Sequence, residues 1–128
     1  MLLDYSHGYG EVVLTASSEE LARVADAVAS GGGFVPAMAS SSGGALRGVE
    51  IKTVSAPGVL IRLDVEAQVL VISGDAAGRT VLADNLRWVA SAGAGGHLHI
   101  EYHSGHFYLG EGSMPLVVSS PHGGIQDR

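Results

Sequence analysis

The sequence predicts a two-layer α+β domain, in which about six strands form a mostly antiparallel sheet and two helices cover one face, in the order β-α-β-β-β-α-β-β. Three observations support this prediction. Apolar and polar residues alternate over 49–52 and 59–66, as in half-buried strands. Two segments repeat apolar residues at helical spacing. A strand-then-helix pattern recurs at an offset of 58 residues, as between Val12 and Leu70, a match that either an internal duplication or apolar periodicity alone produces.

The first predicted strand covers residues 10–16 and leads directly into a helix. Ser17 lies three residues before Glu20, the spacing of a capping box that satisfies two backbone N–H groups at a helix start. Glycines at 31–33 end the helical pattern. Residues 34–45 are rich in serine and glycine and have no period, so we expect a long mobile loop there.

The middle of the chain predicts more of the sheet. Segments 47–52 and 59–65 alternate on either side of a Pro-Gly turn, and we expect them to form one antiparallel hairpin. The continuous apolar run 69–72 is typical of a strand in the sheet interior. Asp75 is the expected N-cap of the second helix. A final strand is predicted at 115–119.

We expect one domain over 1–128, with an ordered core at about 9–119 and a frayed tail at 120–128. The chain has no cysteine and no apolar run near the ~20 residues that span a bilayer, so a cytoplasmic location without membrane contact is expected. Residues with an expected core position are Val12, Leu14, Leu21, Val24, Val28, Val49, Ile51, Ile61, Leu63, Leu70, Ile72, Leu82, Leu86, Leu98, Ile100 and Val117.

Charge and motifs limit the function classes. Seven basic against thirteen acidic residues give a formal charge of −6, which disfavours nucleic acid and favours a basic protein as partner. The sequence has no dinucleotide-binding glycine fingerprint, no Walker phosphate loop and no Gly-x-Ser-x-Gly elbow. We therefore expect no cofactor and no catalysis.

The stretch 96–109 holds four of the six histidines. Strict alternation predicts a strand with Leu98, Ile100 and Tyr102 on its buried side. A row of polar residues then shares the exposed sheet face with carboxylates from the predicted hairpin, and this set is the expected partner-binding surface: His97, His99, Glu101, His103, Glu50, Asp64 and Glu66.

Two alternatives remain open at this point. His97, His99, Glu101 and His103 are residue types that bind divalent metals, although side chains along one strand spread at ~3.3 Å per residue and converge poorly. A metal-binding protein or metal-dependent enzyme is therefore the second hypothesis. A third hypothesis is a homodimer formed through the bare sheet face.

The segment from His97 to Tyr102, followed by 105–109 and 113–118, resembles the C-terminal signature of the immunity protein 32 family of bacterial polymorphic toxin systems. Segments 10–12, 18–21 and 69–74 resemble that family as well. The resemblance implies a small cytoplasmic protein that binds and silences a cognate toxin, with no established catalytic motif.

Overall fold

The computed structural model describes residues 1–6, 8–39, 43–92 and 96–120. Within these residues the chain is α+β, as predicted. The elements are β1 (Leu2–Ser6), β2 (Glu11–Thr15), α1 (Ser18–Ser30), β3 (Gly33–Pro36), β4 (Gly48–Thr53), β5 (Val59–Asp64), β6 (Val69–Gly74), α2 (Ala76–Ser91), β7 (Gly96–Ile100) and β8 (Leu116–Ser120).

The strands form two four-stranded mixed sheets, so the prediction of one sheet of about six strands is wrong. The first sheet has the order β1-β2-β8-β7 and the second has the order β3-β4-β6-β5. In each sheet the central pair is parallel and both outer pairs are antiparallel. The inward faces of both sheets and the two helices contribute to one hydrophobic core.

The predicted hairpin between β4 and β5 is also wrong. β6 lies between them, parallel to β4 and antiparallel to β5. All six residues of β6 are buried, and a strand with apolar residues on both faces is best covered in the sheet interior. The interior position predicted for 69–72 is therefore correct, and it is the reason that β4 and β5 are not neighbours.

Two strands were not predicted. β1 has only Leu3 fully buried on an otherwise half-exposed strand, so its alternation is weak. β3 has four mostly exposed residues and begins the segment 34–45, which was expected to be a loop. Residues 40–42 of that segment lie outside the described residues, as do 121–128 of the predicted tail. Ser120, the first residue of the predicted tail 120–128, is instead the buried last residue of β8.

Both helices begin at the predicted caps. Ser17 Oγ accepts a hydrogen bond from Glu20 N at 3.2 Å, and Ser17 N donates to Glu20 Oε1 at 2.9 Å, which completes the capping box. Asp75 Oδ1 accepts from Gly78 N at 2.9 Å. Gly31 ends α1 with a φ of 90°, a conformation that glycine adopts without strain.

Most of the predicted core is confirmed. Leu63 and Leu98 are only partly buried and pack against the edge of the core. Val117 is 7% exposed, but the core cluster is filled from β8 by Leu116 and Val118 instead. Three consecutive apolar residues left the direction of β8 ambiguous in the sequence, and pairing with the inward residues of β2 decides it.

The fold repeats itself. The orders β1-β2-α1-β3-β4 and β5-β6-α2-β7-β8 are the same. Each sheet contains one outer and one inner strand from each half. The free edges of β1 and β5 are covered equivalently: Leu46 N donates to Leu3 O and Met114 N donates to Ile61 O, each at 2.9 Å. The structural repeat has the 58-residue offset seen in the sequence over the β1-β2-α1 and β5-β6-α2 segments.

One buried cation joins the two halves. Arg79, at the start of α2, is 5% exposed. Its Nε donates to Gly74 O at 3.0 Å, and its guanidinium donates to Val28 O and Ala29 O at 3.0 and 2.9 Å. These last two carbonyls belong to the C-terminal turn of α1, where unpaired carbonyls and the helix dipole favour a cation.

Candidate partner-binding surface

β7 presents its histidines as the alternation predicts. Ile100 is 3% exposed and Leu98 is half-buried, whereas His97 and His99 are exposed on the opposite face. The two imidazoles meet edge to face with their Nε2 atoms 2.8 Å apart. In that contact one ring nitrogen must donate a proton and the other must accept it. The pair is therefore a fixed polar unit at the edge of the first sheet.

Beyond β7 the chain turns sharply. His106 N donates to His103 O at 2.9 Å, and Gly105 has a φ of 85°, which suits glycine in a tight turn. β7 itself ends at Ile100, so Glu101 and His103 lie beyond the strand. These two residues were expected to continue the histidine row, but they follow the end of β7 as exposed residues of the connection to β8.

His106 holds the next turn together. Its Nδ1 accepts hydrogen bonds from Tyr108 N at 3.3 Å and from Leu109 N at 3.1 Å. Burial of the ring, together with the nearby charge on His103, lowers the pKa of His106. A neutral ring with a free Nδ1 lone pair is the form that makes both bonds. A histidine thus does here what an asparagine or aspartate side chain commonly does in turns.

Tyr108 and Leu109 anchor this segment, and they are 6% and 3% exposed. Val59 N donates to Tyr108 O, and Gly110 N donates to Val59 O, each at 2.7 Å. The Tyr108 hydroxyl accepts from Asn85 Nδ2 at 3.1 Å, and burial raises the pKa of Tyr108. Because its neighbours are fixed on both sides, Phe107 projects outward and is 80% exposed.

A cleft of about 330 Å³ lies between β7, this turn segment and α2. It is lined by Asn85, Leu98, His99, Ile100, Glu101, His103, His106, Phe107 and Tyr108. Phe107 and Tyr108 also line a second cleft, of about 210 Å³, beside the start of α2. We call the exposed residues around the larger cleft the histidine surface: His97, His99, Glu101, His103 and Phe107.

The remaining predicted site residues lie elsewhere. Glu50 and Asp64 belong to β4 and β5 of the second sheet, and Glu66 lies in the turn that follows β5. Asp64 Oδ1 accepts from Ala67 N at 3.0 Å and so closes that turn. The seven residues were expected to share one sheet face. The structure instead brings His99, Glu101 and His103 to one cleft, and none of the three carboxylates of the second sheet and its turn lines that cleft.

The structure does not assemble the alternative metal site. Only His97 and His99 of the four candidate ligands are in mutual contact. Across the described residues, no group of three or more His, Cys, Asp or Glu side chains is placed to hold a metal ion.

Sequence reasoning missed two contributors to this region, Asn85 and Phe107. The adjacent aromatic residues Phe107 and Tyr108 were the signal available in the sequence. A turn held by His106, not strand alternation, decides which of the two rings is buried. The role of Asn85 depends on how α2 packs against the turn, which local sequence does not encode.

Comparison with known proteins gives one match. No curated protein and no solved structure matches the chain significantly. No helix among the described residues is long and apolar enough to cross a membrane. The sequence model of the immunity protein 32 family matches residues 69–121, less than half of the chain. The match confirms the family resemblance from β6 through β8, a range that contains the whole histidine surface.

Proposed function

We propose that the protein is an immunity protein, which binds a cognate bacterial toxin in the cytoplasm and neutralises it by covering its active surface without catalysis. The observation that carries the proposal is the immunity protein 32 match over 69–121. The matched range includes β7, the turn segment and β8, and these elements position every residue of the histidine surface.

The composition of that surface suits protein recognition. Binding energy at interfaces concentrates in a few residues, often aromatic ones, that become buried by the partner. Phe107 is 80% exposed, and the residue after it, Tyr108, is hydrogen-bonded to β5. A held backbone lowers the conformational entropy that such a contact loses on binding. We assign Phe107 the central contact, with His97, His99, Glu101 and His103 around it.

Charge supplies the second part of the proposal. A formal charge of −6 favours a basic toxin, because opposite charges accelerate encounter. Glu50, Asp64 and Glu66 lie on the second sheet and its turn, and we assign them to steering rather than to direct contact. Glu101 lines the cleft and belongs to the contact itself.

The proposal is tested with candidate toxins taken from the genes that neighbour this one. Co-expression should protect the host cell, and the two purified proteins should form a stable complex by size-exclusion chromatography.

Phe107→Ala should weaken toxin binding at least tenfold, about 1.4 kcal/mol. Phe34→Ala is the matched control, because Phe34 is an exposed aromatic of β3 outside the family match. A toxin that forms no complex and is not neutralised refutes the function. If Phe107→Ala and Phe34→Ala had equal effects, the contact with the toxin would lie outside the histidine surface.

Single charge reversals separate contact from steering. Glu66→Lys should slow association at low salt and lose that effect at high salt, since screening acts over ~10 Å at 0.1 M. Glu101→Lys should also speed dissociation at every salt concentration, because it places a repelling charge inside the interface. If both reversals behaved alike, Glu101 would have no contact role.

A further inference from the structure

The permanent charge that lines the larger cleft of the histidine surface has a single sign. Among the described residues that line it, the only fully charged side chain is the carboxylate of Glu101, and there is no lysine or arginine. The remaining polar groups are imidazoles, one amide and one phenol. The permanent charge in the cleft is therefore negative, and the lining holds no lysine or arginine to neutralise it.

The hydrogen bonds already made in this region leave acceptors free. Asn85 Nδ2 donates to the Tyr108 hydroxyl, which leaves the Asn85 side-chain oxygen available. His103 Nδ1 lies 3.2 Å from Ser104 O, and because a carbonyl oxygen can only accept, this nitrogen donates. In that tautomer the other ring nitrogen, Nε2, is a second acceptor. Together with Glu101, the cleft suits a ligand that carries several N–H donors.

A flat aromatic surface lies beside these acceptors. The rings of His106 and Phe107 are parallel, with an interplanar angle of 1°, and Phe107 is 80% exposed. A guanidinium group is planar, stacks on aromatic faces and forms paired hydrogen bonds to a carboxylate. An ammonium group is compact and strongly hydrated, and it uses such a face less well.

The volume of the cleft limits the size of the group that it can hold. Its volume of about 330 Å³ is at the small end of the ~300–1,000 Å³ range of ligand clefts. This is room for one side chain rather than for a helix or a strand of the partner.

We propose that this cleft receives an arginine side chain of the cognate toxin, with the guanidinium paired to Glu101 and stacked against Phe107. This inference rests on the proposed function and adds the chemistry of the central contact. A basic toxin has many cations, and the cleft selects arginine among them by its planar group and its donors.

The first test uses a small probe and the full chain. N-acetyl-arginine N-methylamide is titrated into the protein while NMR shifts of residues 97–108 are followed. The matching citrulline derivative has nearly the same shape without the charge, and the lysine derivative has the charge without the plane. We expect saturable shifts with the arginine probe and at least tenfold weaker binding of both others. Glu101→Gln should weaken binding of the arginine probe at least tenfold, and Glu19→Gln, at an exposed carboxylate of α1, should leave it unchanged.

Three results would overturn the inference: no saturable shift of cleft residues, equal binding of the citrulline probe, or an unchanged affinity in Glu101→Gln. The toxin complex separates this inference from the function on which it rests. If Phe107→Ala weakens the complex while Glu101→Gln does not, the immunity function stands and the arginine contact is wrong. If the arginine probe binds but no toxin complex forms, the immunity function is wrong and the cleft remains a guanidinium site.

Discussion

Phe34 in β3 and His99 in β7 are equivalent positions in the two halves of the chain. Each precedes an inward residue, Val35 or Ile100, that pairs with the neighbouring strand in the same way. After β3 the chain continues through alanine, serine and glycine to β4, whereas after β7 it continues through histidines, Phe107 and Tyr108 to β8. The same framework therefore supports a plain connection in one half and a chemically distinctive one in the other.

The difference between these two connections shows where function is expected. Buried positions correspond across the halves: Leu14 and Ile72 are both inward residues of a central strand, and Ala25 and Ala83 are both fully buried in the helices. Side chains without a counterpart, such as His106 and Phe107, are not needed for the shared core. The divergent connection is also inside the range that matches the immunity protein family.

The largest expected effect tests the shared core. Leu14→Ala and Ile72→Ala should each destabilise the protein by ~2–5 kcal/mol, because both remove a buried side chain from an equivalent position and leave a cavity. Urea unfolding of the two variants measures this. A small loss at one position and a large loss at the other would show that the halves do not share the core equally.

A second prediction concerns Arg79, the buried guanidinium of the second half. The position equivalent to Arg79 at the 58-residue offset is Leu21. Arg79→Leu leaves the carbonyls of Val28 and Ala29 without their donor, and we expect a loss of ~1–3 kcal/mol in the free energy of unfolding. The competing effect is relief from burying a charge. Arg79→Lys is the control, since it keeps the charge without the planar guanidinium group. An unchanged stability in both variants would mean that the carbonyls find other partners.

The third prediction is that the divergent connection makes stability depend on pH. The pKa of His106 is lowered from its ordinary value near 6.5, first by burial and then by His103. The unfolded chain therefore binds a proton more readily, so the contribution of this group is complete above about pH 6.5 and is lost as the pH falls toward the lowered pKa. Protonation also removes the Nδ1 lone pair that accepts from Tyr108 N and Leu109 N.

His106→Asn tests this, because its side-chain oxygen can accept from the same backbone groups without titrating. The difference in unfolding free energy between about pH 7.5 and about pH 5.5 should be smaller in His106→Asn than in the native chain. Residues 37–46, in the equivalent connection of the first half, contain no titratable side chain, so that connection contributes no matching change. An identical pH dependence in the variant would assign the effect to another group.

Local signals in the sequence predicted both helices with their caps, the interior position of β6 and the buried side of β7, because alternation and capping depend on neighbouring residues. The division into two sheets was not predicted. The division depends on which strands pair in parallel with β6 and β8. This pairing is long-range, and the alternation within β4 and β5 does not indicate it. The site was predicted in part for the same reason: alternation exposed His97 and His99, whereas the separation of Glu50 and Asp64 from them follows from strand order.

The smallest expected effect concerns a surface contact shared by the two helices. Asp26 and Asp84 are equivalent at the 58-residue offset, and both approach Arg87, with N–O distances of 3.1 and 3.6 Å. All three side chains are substantially exposed. Exposed pairs are screened by water and salt, so Asp26→Asn and Asp84→Asn should each change the free energy of unfolding by less than ~0.5 kcal/mol. Thermal unfolding at low and high salt measures both variants. A loss above ~1 kcal/mol at Asp26 alone would show that Arg87 fastens the two helices together through the interhelical pair.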